Sequence, residues 1–230
     1  MSTAALFERL APRYDELWTN TPVGRAQRNA VWRVVDELFH PGDRVLDIGC
    51  GTGADAAHLA ARGVLVHAVD ASPAMVARAR ARGIAAEVLR AENLLRGSGE
   101  FDGMLSNFGV FNCVEDLAPS AFALASLIRP GGHAAVCTMG RFCAWETLSP
   151  KRAFRRWSGR AGEIHYPTVR QLRHAFAPHF ELLRWTGIGM LVPPSYVKLP
   201  VGIVRVLERM DRFAPLGFCA DHRLLVFRRK

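Results

Sequence analysis

Val45-Leu46-Asp47-Ile48-Gly49-Cys50-Gly51-Thr52-Gly53 decides the reading of this chain. A short apolar run carrying one aspartate ends in three glycines at alternate positions. The run reads as a strand buried in a parallel sheet. The glycines permit a sharp turn and a close approach of backbone to ligand. Ala54 to Ala61 then reads as a helix, stopped by Gly63 just past its end. Strand, glycine turn and helix together form a nucleotide-binding corner.

Two ligand types compete for such a corner. Gly49, Gly51 and Ala54 fit the looser G-x-G-x-x-A spacing of dinucleotide folds. Three features weigh against a dinucleotide. Asp47 would place a carboxylate beside a pyrophosphate, where like charges repel; it suits an ammonium or sulfonium better. Gly53 adds a third alternate glycine that a pyrophosphate loop does not need. A second apolar run, Val64 to Val69, ends in Asp70. That acid suits ribose hydroxyls, which both ligand types carry, so it does not discriminate by itself.

Leu46-Asp47-Ile48-Gly49-Cys50-Gly51-Thr52-Gly53, then Val69-Asp70-Ala71-Ser72-Pro73-Ala74-Met75, then Arg129-Pro130-Gly131-Gly132 resemble, in that order, the class I S-adenosylmethionine-dependent methyltransferases. The resemblance runs from about residue 45 to residue 140 and implies the cofactor S-adenosylmethionine. It implies that Gly49, Cys50, Gly51 and Gly53 pass the backbone along the cofactor, and that Asp47 acts on its ammonium. Asp70 and Ala71 would meet the ribose, and Met75 the adenine face. Ala91 and Glu92 match the adenine-edge position, although Arg90 stands where the family often has an acid. Asn107 and Phe108 would lie beside the methyl group. Tyr14, in Arg13-Tyr14-Asp15, resembles an N-terminal tyrosine that folds over the cofactor; a core aromatic is the plainer alternative.

Organisation along the chain agrees with an α/β fold. Strands are predicted at 44–48, 65–69, 86–89, 102–106 and 133–138, and helices at 54–62, 73–82, 115–128 and 168–176. The alternation predicts a doubly wound, mostly parallel sheet. The resemblance extends it to a Rossmann-like sheet of seven strands with the last antiparallel. One domain, 1–230, accommodates this: a helical cap at 1–40, a cofactor-binding core at 41–140, and substrate lids at 141–166 and 192–222. Phe180 to Leu191 reads as a long strand, Arg223 to Arg228 as a final one, and 201–213 as an amphipathic helix. Ligands of such sheets bind beyond the carboxyl ends of the strands. This places Phe111, Asn112, Phe142, Tyr166 and Tyr196 as expected substrate-pocket residues. The apolar content of the lids, with Trp145, Trp157, Leu191 and Val192, points to a fairly hydrophobic small molecule.

Composition bounds the function. The chain has 230 residues, half of them hydrophobic. No run approaches the ~18 apolar residues of a membrane span, and the first 15 residues lack the pattern of a secretory signal. Five scattered cysteines show no disulfide framework or zinc-ligand spacing, so no metal is expected and a reducing cytoplasm fits. The net charge is +9, yet of 30 basic residues only Lys151, Lys198 and Lys230 are lysines. That skew matches a GC-rich coding bias better than a nucleic-acid surface. The dense cluster from Lys151 to Trp157 reads as an amphipathic helix.

The chemistry expected is in-line displacement at a sulfonium, with the protein supplying alignment. A base is needed only if the acceptor loses a proton; His222 and His165 are the candidates. The expected acceptor is a small, fairly apolar metabolite. An RNA substrate using the arginines, or a cofactor-binding relative that does not methylate, is the alternative.

Overall fold

The computed structural model describes residues 3–94, 101–148, 151, 153, 156, 158, 160–161, 163–213 and 217–230. Nine strands are found among these residues: β1 Arg44–Ile48, β2 Leu65–Asp70, β3 Ala86–Val88, β4 Phe101–Ser106, β5 Ile128–Met139, β6 Arg160–Ala161, β7 Ile164–His165, β8 Phe180–Ile188 and β9 His222–Arg229. Seven form one sheet in the order β3-β2-β1-β4-β5-β9-β8, and β6 and β7 form a small separate ribbon. β1 to β5 run parallel, β9 runs antiparallel to β5, and β8 is antiparallel to β9. Strand order reverses between β1 and β4, so the crevice for a ligand opens at their carboxyl ends.

The α-helices are α1 Thr3–Leu10, α2 Pro22–Val35, α3 Ala54–Ala61, α4 Pro73–Ala81, α5 Leu117–Leu127, α6 Val169–Phe176 and α7 Val201–Asp211. Their starts follow local chemistry. Thr21, Ser72, Asp116 and Thr168 each cap a free backbone N–H of the first turn, and Pro22 and Pro73 occupy first helical positions. Thr168 and Gln171 complete a reciprocal capping box.

Helices cover both faces of the sheet. On one face Val31 and Val35 of α2, with Phe39 just beyond it, pack with Leu59 of α3 against Val45, Leu105 and Leu224. On the other, Leu124 of α5 and Phe176 of α6 pack against Ile48, Met104, Val136 and Phe227. Phe176 stacks on Phe227 at 4.7 Å and meets Phe180 at 5.6 Å. The central strands β1, β4, β5 and β9 are buried on both sides over most of their length, which is why they read as continuous apolar runs.

Differences from the expected boundaries are local. β5 begins five residues early, because Ile128 already pairs with Phe101 of β4. Arg129 to Gly132 then bulge out, with Gly131 at a left-handed φ of 80°, before pairing resumes at Gly103 and His133; Gly132 runs so close that a Cβ would meet the Asp102 carbonyl at 2.5 Å. β8 ends at Ile188, where Gly189 takes a left-handed φ of 74°. Between α1 and α2 the chain makes one turn of π-helix, Asp15–Thr19, a rare geometry that often marks a functional region. No helix of the described residues is long and apolar enough to cross a membrane.

Candidate active site

The glycine turn is fastened to β2 before it meets any ligand. The N–H groups of Gly49 and Cys50 both donate to the Val69 carbonyl, at 2.7 and 3.0 Å. The three glycines do different work. A Cβ on Gly49 would strike Val110 at 2.1 Å, and one on Gly53 would press on Ala79 at 2.9 Å. Gly51, at φ +54°, faces open space. Two glycines therefore permit packing, and the third bares backbone to the crevice.

Asp70 closes the turn. Its Oδ2 accepts from the Gly51 N–H at 2.9 Å and its Oδ1 from the Ser72 N–H at 2.8 Å. Burial raises its pKa above the ordinary carboxylate value, against the pull of those amides.

The crevice is one continuous cavity of about 680 Å³. Of the expected cofactor residues, Tyr14, Gly49, Cys50, Gly51, Asp70, Ala71, Met75, Ala91, Asn107 and Phe108 line it, as does His165. Met75 is buried and Tyr14 lies edge-on to Phe7. The side chain of Glu92 lies outside the described residues, as do Trp157 and most of the basic cluster at 151–157.

Other expected positions lie elsewhere. Asp47 is 1% exposed beneath the turn, with Oδ2 lacking a hydrogen-bond partner. Burial first, and then the charge of Asp55, push its pKa well above the usual carboxylate range. Gly53 packs on α4 rather than facing the cavity. Phe111 is in the core against Phe176, because its short 3-10 turn points it inward. Asn112 is a structural tie: it donates to the carbonyls of Met139 and His165 and accepts from the Met139 N–H. Phe142 is 40% exposed, Tyr166 packs under Arg156, and the Tyr196 hydroxyl reaches Glu146 at 3.1 Å. His222 lies behind the wall, edge-on to Phe108 at 5.1 Å. Its Nδ1 is 3.2 Å from Asp221 Oδ2, close enough for an ion pair but not aligned as a hydrogen bond. From the first insert the wall takes Glu163, Ile164 and His165, and from the described residues of the second none, while α1 supplies Thr3, Leu6 and Phe7.

Two polar wall residues escaped the sequence reading. Arg28 of α2 is 8% exposed and donates to Asp55 Oδ2 at 2.5 Å. Asp55 also accepts from the Trp32 indole at 2.7 Å and the Asn107 amide at 3.1 Å. The Arg28 guanidinium stands 5.1 Å above the Phe108 ring. Phe108 itself holds a φ of 52°, strained for a non-glycine residue and typical of a site whose surroundings overdetermine it. The available signal was positional. Arg28 falls on the same helical face as Val31 and Val35, where a charge is buried only if paired. Asp15, next to Tyr14, was missed too. It accepts from Thr52 at 2.6 Å and from Arg78 and Arg82, which holds its carboxyl below the usual range despite burial.

Comparison with known proteins now bears on this geometry. Residues 5–179 match a family model described as a methyltransferase domain. A demethylmenaquinone methyltransferase of Mycobacterium sp. (strain KMS) is 34% identical over 137 residues, covering 58% of each chain. The chain thus spans little more than half the length of the curated relatives it matches. Among solved structures, an S-adenosylmethionine-dependent methyltransferase of Thermotoga maritima, a possible histamine N-methyltransferase, superposes with a TM-score of 0.67 at 20% identity, over 98% of this chain and 99% of that one. The [4+2]-cyclase SpnF superposes with a TM-score of 0.69 at 16% identity, over 98% and 94%. Both likenesses concern the fold.

The site's own atoms fit the cofactor that such a family implies. Gly51 leaves room for a ligand against bare backbone. The Asp70 oxygens each hold one amide and keep lone pairs for hydroxyl donors. Arg28 Nε and Asn107 Oδ1 are buried without partners on residues of the cavity wall. With 175 of its 230 residues inside the family model, the chain belongs to the methyltransferase-domain family, and its fold is that of the Thermotoga maritima methyltransferase.

Proposed function

We propose that this protein transfers a methyl group from S-adenosylmethionine to a small, largely apolar acceptor held in the same cavity. The cofactor supplies a methyl group on sulfonium sulfur, already electrophilic enough to need no further activation. Asp70 would accept from the ribose hydroxyls. Ala71, Met75, Leu89 and Ala91 would frame the adenine. Arg28 would hold the amino-acid carboxylate, with Asp55 and the loop carbonyls receiving the ammonium. These roles exchange charged partners for charged partners in a buried setting, where hydrogen bonds to ions are strongest.

One observation carries the reading. A single cavity is lined both by the acidic Asp70 and by the apolar Phe7, Phe108, Ile164 and Met139. Alignment of acceptor and methyl in one enclosed space is most of what such a displacement asks of a protein. The likeness to the mycobacterial demethylmenaquinone methyltransferase supports an acceptor of the demethylmenaquinone kind, a ring with apolar substituents. Three arginines are committed within the protein and are not free to meet an RNA backbone. Arg28 and Arg156 are buried in ion pairs, and Arg223 donates to the carbonyls of Phe142 and Ala220.

His165, on the wall and held through its carbonyl by Asn112, is the better placed base for an acceptor that must lose a proton. His222 would need Phe108 to move. The test has two stages. Titration calorimetry should show that the protein binds S-adenosylmethionine. Release of S-adenosylhomocysteine should then follow addition of one of a panel of quinols and phenols with apolar substituents. Absence of cofactor binding would overturn the reading. For the base, His165→Ala should lower turnover about 10²–10⁴-fold with cofactor affinity retained. Full turnover in that variant assigns the proton elsewhere.

A further inference from the structure

We propose that the outer face of α7 is a docking surface for an anionic lipid bilayer. This rests on the surface of the helix alone and holds whichever acceptor the active site takes.

The helix has two apolar sides. The inner one packs normally: Val204 is buried with Val23 and Ala26 of α2 and with Val192, and Leu207 packs alongside. The outer one has no such cover. Ile203, Val206 and Met210 are 49%, 55% and 54% exposed, and Phe213, in the turn just beyond, is 86% exposed. Their spacing of three, four and three residues places them in one stripe along the helix. Patches of this kind on soluble proteins mark interaction sites.

Charge identifies the occupant. Arg205, Arg209 and Arg212, all exposed, recur at four and three residues and form a second stripe beside the apolar one. The two acids of the helix are turned inward. Glu208 accepts from Asn29 at 3.2 Å and pairs with Arg33 at 3.5 Å. Asp211 accepts from the N–H groups of Gly189 and Leu191. The outward face thus offers apolar side chains and guanidinium groups without a compensating carboxylate from this helix. That is the pattern of a helix lying in the plane of a bilayer, apolar stripe among the acyl chains and cations at the headgroups. At 11 residues, about 16 Å long, it is suited to lie in the interface rather than span it. A second copy of the chain is a poorer match, because a twofold contact through this face would bring arginine stripe near arginine stripe.

The test is sedimentation of the full chain with large unilamellar vesicles. Vesicles of phosphatidylglycerol and phosphatidylcholine should pull the protein down, and pure phosphatidylcholine should not. Val206→Glu combined with Met210→Glu should weaken binding at least about tenfold. Arg205→Gln with Arg209→Gln should weaken it about fivefold per charge and flatten its salt dependence. Thermal melting monitors the fold of each variant. Should the paired glutamates destabilise it, Phe213→Ser, beyond the helix, replaces them and should likewise reduce binding. Wild type left in the supernatant with anionic vesicles overturns the proposal, as does undiminished binding by the folded apolar variants. A dimer in light scattering that the same substitutions dissolve reassigns the face to a second copy and also overturns it.

Discussion

At the scale of single residues, Asp47 is buried near the end of β1 and Asp70 half-buried at the end of β2, and their surroundings give them opposite tasks. Asp70 lies on the cavity wall with each oxygen on a backbone amide, so a ligand hydroxyl completes its coordination. Asp70→Ala should weaken S-adenosylmethionine binding by about 1.5–3 kcal/mol, the scale of hydrogen bonds to a charged group. Unchanged affinity by calorimetry would remove it from the site. Asp47 has no such exit, and burial raises its pKa. A carboxyl raised in the folded state binds its proton more tightly there than in the unfolded chain. Its contribution is present at low pH and is lost as pH rises through the raised folded value. Asp47→Asn should therefore stabilise the cofactor-free protein at pH 8 more than at pH 5. About 1–3 kcal/mol is at stake, and each kcal/mol shifts the melting temperature by about 2–4 °C. Equal melting shifts at both pH values would show that Asp47 is charged without cost. Both acids were legible in the sequence, Asp47 within the apolar run before the glycines and Asp70 at the end of the next run. What distinguishes them, the side on which solvent lies, was not. Arg28 and Asp55 were hidden for a related reason: their pairing crosses 27 positions, and one sequence carries no record of that distance.

At the scale of elements, strand positions followed from continuous apolar runs, and the glycine turn from its spacing. The closure over the cavity did not follow from either. The first element, α1, has no buried residue of its own, so its amphipathic pattern says little about where it docks. It is held by polar ties at both ends. Glu8 accepts from the Ser72 hydroxyl and from the Ala74 N–H, at the cap of α4. Thr3 donates through its N–H and hydroxyl to Glu163, beside the β6–β7 ribbon. Between these ties Leu6 and Phe7 cover the crevice. Elements held by a few exposed polar contacts open first, so α1 is the part of the wall suited to admit ligand. Glu8→Ala should speed cofactor dissociation severalfold in stopped-flow measurements and leave the thermal melting point nearly unchanged. A dissociation rate equal to wild type would place the entrance elsewhere.

At the scale of the whole molecule, a chain of buried polar contacts joins the inserts to the core. The Tyr196 hydroxyl reaches Glu146, and Glu146 pairs with Arg156 at 2.5 Å. Arg156 pairs with Asp221 at 2.5 Å and donates to the carbonyls of Gly140 and Asp221. Asp221 accepts in turn from Gln27 of α2. Residues from 27 to 221 thus meet at the mouth of β9, where irregular segments would otherwise lack a reason to pack. Outside the helical spacing of Lys151 to Trp157, these segments carried little periodicity in the sequence, because their order comes from paired charges rather than from an apolar face. His222 first, and then Arg156, hold Asp221 well below the ordinary carboxylate range despite its burial. A depressed folded pKa contributes stability that is fully present above the unfolded value of about 3.9. That stability is lost as pH falls through the folded value. The wild type should hold its stability down to about pH 4 and lose it progressively below. Asp221→Asn leaves Arg156 with one buried partner fewer, which costs about 3–5 kcal/mol at neutral pH. The same substitution should flatten the acid limb of a plot of unfolding free energy against pH, because the titrating group is gone. A variant with the acid limb of wild type, measured by urea unfolding between pH 2.5 and 7, would show that the inserts are held by something other than this charge.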